Sequence, residues 1–136
     1  MPAVFFVFAR QINCLRYNCP TMAVNILQIA YYPGLSDARK MMLEREGYEV
    51  VSVLGNDQAI ALASTKTFDL IVLGFSAPHS VRCAMLRWLK QHLSQTPVVA
   101  LLAHEAETFP EADHATLSED PRVWLARVAE CIKSRA

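Results

Sequence analysis

A chain of 136 residues is about one domain long and closes a single core. Its 13 Lys and Arg balance 13 Asp and Glu, so the totals carry no electrostatic footprint for nucleic acid or an anionic membrane. The basic residues fall singly on expected helices (Arg39, Lys40, Arg45; Arg82, Arg87, Lys90; Arg122, Arg127, Lys133), the usual pattern of solvated faces.

The opening PAVFFVFAR contains a short apolar run, far below the ~20 residues that span a bilayer. No basic region precedes it, as a signal peptide would require. Regular patterning begins only at Asn25, so residues 1–24 read as an extension outside a domain of residues 25–136. Cys14, Cys19, Cys83 and Cys131 form no CxxC pair, which argues against zinc. Reduced thiols in a cytoplasmic protein are the expectation, with a Cys14–Cys19 disulfide only in an oxidising compartment.

NILQIAY is the first expected strand, followed by YPGLSD, where Gly34 allows a turn and Ser36 or Asp37 can cap a helix. ARKMMLERE reads as that helix, and Gly47 stops it. YEVVSVLG is β-branched and strand-like; Asn56 or Asp57 then caps QAIALASTK, with Ala59, Ile60, Leu62 and Ala63 on its buried side. DLIVLGF is almost continuously apolar, as suits a central parallel strand covered on both faces. After Pro78, SVRCAMLRWLKQHL places Val81, Ala84, Met85, Trp88, Leu89 and Leu93 on one helical stripe. PVVALLA is a fourth buried strand. Asp120 and Pro121, as N-cap and N1, open RVWLARVAECIK, with Leu125, Val128, Ala129 and Ile132 on one face.

Strands alternating with crossover helices give a doubly wound α/β domain with a parallel sheet and helices on both faces. In such sheets ligands sit beyond the carboxyl ends of the strands. Those ends are Ala30 to Tyr32, Gly74 to Ser76 and Leu102 to His104.

Taken together, NILQIAYYPGLSDARKMMLEREGYEV, FDLIVLGFSAP, TPVVALLA and DPRVWLARV resemble the receiver domain of two-component response regulators over about residues 25–133. The likeness implies a flavodoxin-like fold with five strands in the order 2-1-3-4-5. It aligns Gly74 with the phosphoacceptor aspartate, and Ala30 and Tyr31 with the acidic pair that holds Mg²⁺. Leu102 falls on the switch hydroxyl, and Ser118 on the closing lysine, or Leu117 if the gap shifts by one. The resemblance therefore implies a degenerate pseudo-receiver, with none of the phosphoryl-transfer residues. Asp69 offers no substitute: it starts its strand, about 17 Å from the crevice at about 3.3 Å per residue. HEAETFPEADHATLSED is roughly a turn and a half of helix shorter than its family counterpart. A reduced fourth helix and fifth strand are expected there, with HATLS as a short edge strand; the family's usual dimer face would be altered, and a homodimer stays open.

Tyr31, Tyr32, Ser76, His79 and His104 form the candidate crevice. The two tyrosines are expected to fill the space of the missing carboxylates. His79, His104, Glu105 and Ser76 could approach a metal, but no spacing specifies one, and surface histidines are the simpler reading. YYPGLSD could offer an anion a helix N-terminus, although neither GxGxxG nor a Walker pattern is present. GxSxG is missing too, so Ser76 and Ser80 do not mark a hydrolase. The sequence thus points to a stand-alone, non-enzymatic signalling domain that meets a protein partner in the cytoplasm. No cofactor, metal, nucleic acid or membrane is expected. The alternative is a sensor that takes a small molecule or anion in the crevice.

Overall fold

Four short runs rich in Val, Ile and Leu, and a fifth run HATL, pair as parallel strands: β1 (Asn25–Ala30), β2 (Glu49–Leu54), β3 (Leu70–Leu73), β4 (Val98–Leu102) and β5 (His114–Leu117). The computed structural model describes residues 23–134; residues 1–22, with Cys14 and Cys19, lie outside them, while Val24, read as part of the extension, packs on the core and accepts the Glu49 N–H at 2.9 Å. The strand order is β2-β1-β3-β4-β5, the flavodoxin-like order expected, with β3 at the centre. All four residues of β3 are buried, because a parallel strand covered on both faces has no solvent side. Alternate residues serve two cores. Leu27, Ile29, Ile71, Leu73 and Ala100 pack on one face; Ile26, Leu70, Val72, Val99 and Leu101 pack on the other.

The helices are α1 (Pro33–Arg45), α2 (Gly55–Ala63), α3 (His79–His92) and α4 (Pro121–Ser134). Leu43 of α1 and Trp124, Val128 and Cys131 of α4 cover one face; Ala59 and Ala63 of α2 and Met85, Leu86 and Leu89 of α3 cover the other. No described helix is long and apolar enough to cross a membrane. Gly47 ends α1 in the left-handed region at φ 94°. Its N–H reaches Glu44 O at 3.0 Å and that of Tyr48 reaches Leu43 O at 3.4 Å, a Schellman closure that a Cβ would oppose. Asp120 caps α4 as expected, its Oδ1 accepting from the Arg122 N–H at 3.0 Å.

Several expectations need correction. Helix α1 starts at Pro33, so Ser36 and Asp37 lie inside it and do not cap it; Pro suits N1, where no N–H is needed, and Pro-Gly opens the helix instead of a turn. Helix α2 starts at Gly55, so Asn56 and Asp57 sit in its first turn, and neither caps it. The buried stripe of α3 is Arg82, Met85, Leu86 and Leu89, while Val81 and Ala84 are exposed. On α4 Ala129 is exposed and Trp124 takes the core place. The reduction expected between β4 and β5 is met: no helix forms there, and β5 is the short edge strand expected, four residues long.

Candidate functional site

The carboxyl ends of β1 and β3 meet at Ala30 and Gly74. Gly74 donates its N–H to Ile29 O at 2.8 Å, and a Cβ on it would stand 3.5 Å from Ala30 Cα. The same Cβ would lie 2.9 Å from Nη1 of Arg39 and 3.0 Å from Ile29 O. The space a side chain at position 74 would need is therefore taken by a guanidinium. Arg39 is only 5% exposed, which overturns its reading as a solvated helix residue. It shares the buried stripe of α1 with Ser36 and Leu43, and its guanidinium lies over the Phe75 ring, 5.1 Å from the centroid. Burial pulls its pKa down to about 10, which still leaves it cationic near neutral pH.

Beneath α1, Gln28 is fully buried in β1. Its Nε2 donates to Ser36 O at 3.0 Å and to Ser52 Oγ at 2.6 Å. Gln28 Oε1 and Arg39 Nη2 are the buried side-chain polar atoms without a hydrogen-bond partner among the described residues.

The tyrosines do not fill the acidic positions. Tyr31 turns to the α2/α3 side, packing on that core and donating its hydroxyl to Asn56 Oδ1 at 2.7 Å. Asn56 Nδ2 in turn donates to Val81 O at 3.0 Å, tying α2 to α3. Burial pushes the Tyr31 hydroxyl up to about 12, against the opposing pull of Arg82, so it remains a donor. Tyr32 is 60% exposed.

His79 is the first residue of α3. Its Nε2 donates to Thr108 O at 2.8 Å, since a carbonyl only accepts. Its Nδ1 stands 3.4 Å from Cys83 Sγ, and its ring stacks on Phe109 with centroids 4.6 Å apart. His79 and His104 border one shallow cavity with Glu107 and Thr108, whereas Tyr31 borders another with Leu54, Asn56 and Val81. Ser76 and Glu105 are exposed. The expected crevice residues are thus divided between two places, and no three His, Cys, Asp or Glu among the described residues converge on a metal position.

A second buried arginine, also read as a solvated helix residue, fixes this end of the molecule. Arg82 is 2% exposed; its Nε donates to Ala77 O at 2.9 Å, and its two terminal nitrogens pair with both oxygens of Glu107. Glu107 Oε1 also accepts the Ala103 N–H at 2.7 Å, and Phe109 lies under the guanidinium at 5.0 Å. The bond from Arg82 holds the Glu107 carboxyl below its ordinary value of 4.5. Leu102 and Ser118 lie beyond this pair, the Ser118 N–H donating to Leu102 O at 3.3 Å. Asp69 sits at the opposite end of the sheet, accepting the Asn25 N–H at 2.8 Å.

Sequence reasoning missed both buried arginines. The available signal was position: Arg39 lies at i+3 from Ser36, and Arg82 at i−3 and i−4 from Met85 and Leu86, inside stripes that bury.

The fold has counterparts among known structures. Neither family models nor curated proteins give a match to the sequence, but solved structures do. A CheY-like response regulator receiver domain from Methanospirillum hungatei is 18% identical with a TM-score of 0.74, over 84% of this chain and 97% of that one. The signal receiver domain of a histidine kinase from Syntrophus aciditrophicus is 24% identical with a TM-score of 0.71, over 82% and 92%. The response regulator TrrA from Thermotoga maritima, solved with Mg²⁺ and a beryllium fluoride, is 18% identical with a TM-score of 0.72, over 79% and 98%; TrrA has also been solved in complex with the histidine kinase ThkA. The chain has the fold of receiver domains.

Receiver domains of this fold imply Mg²⁺. A hard dication needs oxygen ligands, and the corresponding positions here hold Ala30, Tyr31 and Gly74, with the Arg39 guanidinium against the last of them. The residues present do not fit the metal.

Proposed function

We propose that this chain is a receiver-like signalling domain of the two-component type that works by protein–protein contact, without aspartyl phosphorylation and without catalysing a reaction. One observation carries the reading: at the end of β3 there is no carboxylate, and the volume its side chain would occupy is taken by the Arg39 cation. Phosphoryl transfer needs an acceptor oxygen and a metal clamp; the residues at the corresponding positions supply neither. The fold supports the signalling context, since TrrA, which shares it, has been solved with a histidine kinase. The partner in this reading is a protein of such a pathway in the cytoplasm, and a homodimer is compatible with it.

Incubation with Mg²⁺ and acetyl phosphate, followed by intact mass and by the fluorescence of the buried Trp124 and half-buried Trp88, tests the first half. Unchanged mass and spectra are expected; a labile phosphoryl adduct would overturn the reading. Cross-linking in the native cell followed by mass spectrometry tests the second half. Histidine kinases or phosphotransfer proteins among the linked partners are expected, and partners drawn wholly from other pathways would remove the two-component assignment.

A further inference from the structure

Arg39 presents a charge without a counter-charge. Its residue is 5% exposed, its Nη2 has no acceptor among the described residues, and the described ion pairs belong to Arg82, Lys90, Arg122 and Arg127. Its guanidinium lies over the face of Phe75, with Nη1 against Gly74. Stacking on a ring offsets only part of what it costs to hold an ion away from water. A buried donor left unpaired in a native fold calls for a ligand or water that completes it.

The chemistry of that ligand follows from the donors. A guanidinium is a planar fork of N–H groups that matches two oxygens at once. The carboxylates that would repel an anion are missing, since positions 30, 31 and 74 carry Ala, Tyr and Gly. The positive charge that a divalent ion would bring is already covalently attached, against Gly74.

We propose that the carboxyl end of β3 is a metal-independent binding site for a small oxyanion of the phosphate or carboxylate class, held non-covalently by the Arg39 guanidinium at its unpaired Nη2, beside the Phe75 ring. Phe75, half-buried on the guanidinium, is the side chain that turns aside to admit it. The site stands apart from the contact reading, because ligand binding and partner binding are read by different measurements.

The test is thermal unfolding of the full chain in sodium phosphate, sulfate or acetate, each against sodium chloride at equal ionic strength, with EDTA present throughout. At least one oxyanion is expected to raise the midpoint with saturation, since a ligand of the native state stabilises in proportion to occupancy. Arg39→Met, of similar length, is expected to abolish the rise. Arg39→Lys, which keeps the charge without the fork, is expected to weaken binding at least about tenfold. Phosphate against acetate tells which oxyanion class is preferred. No rise above chloride in the native protein, or an equal rise in Arg39→Met, overturns the proposal. Should Arg39→Met fail to fold, the ¹⁵N guanidinium resonances of the native protein decide: saturable shifts of Arg39 on adding phosphate or acetate support the site, and their absence overturns it.

Discussion

Gly74 and Arg39 explain each other. A side chain at position 74 would press on Arg39 Nη1 at 2.9 Å and on a β1 carbonyl at 3.0 Å, and the second neighbour is backbone that cannot swing away. Gly74→Ala is therefore expected to destabilise the fold by about 1–3 kcal/mol, the usual cost of overpacking a filled interior, read as a lower urea midpoint at unchanged slope. Gly74→Ala in the Arg39→Met background is expected to cost less, because one of the two close contacts has gone. Gly74 was legible from the strand pattern and the resemblance. Its neighbour was not: an Arg at the seventh residue of a helix reads as solvated until the sheet beneath it is known.

Among the elements, α3 shows how a single buried charge resets a face. Arg82 enters the core stripe and turns Val81 and Ala84 outward, and its pair with Glu107 ties down the segment joining β4 to β5. With side chains 3% and 8% exposed, breaking the pair by Arg82→Met is expected to cost about 3–5 kcal/mol, while the double variant Arg82→Met, Glu107→Leu recovers most of it; a double-mutant cycle in urea, completed by Glu107→Leu alone, measures both. The pair also sets an acid limit. Because the folded-state carboxyl of Glu107 is held below 4.5, its contribution is complete above that value and is lost as the pH falls through its lowered folded pKa. Stability measured from neutral pH down to about pH 3 should fall more steeply in the native protein than in the double variant. The DP start of α4 and the Gly47 stop of α1 were readable locally, since a cap depends on a few adjacent residues. The start of α1 was not, because Pro-Gly suits both a turn and a helix entry.

Across the domain, protection should follow the sheet order. β3 is paired on both sides and buried on both faces, whereas β5 is a four-residue edge strand reached through a segment without a helix. Amide hydrogen exchange is expected to be slowest in β3 and β1 and fastest, among the strands, in β5; mass spectrometry of peptic fragments checks this. Equal protection of β5 and β3 would mean that a partner or second copy covers that edge.

The amino-acid sequence alone settled the parallel α/β architecture, the central place of β3 and the lack of a carboxylate at its end, because hydrophobic period and side-chain chemistry are local properties. Packing decided what stands in the missing carboxylate's place. Tyr31 turns toward Asn56, Tyr32 faces solvent, and Arg39 reaches from the second turn of α1 to Gly74. Which of three nearby side chains enters one small volume depends on the rotation of a helix over its sheet, a quantity that no short stretch of sequence carries.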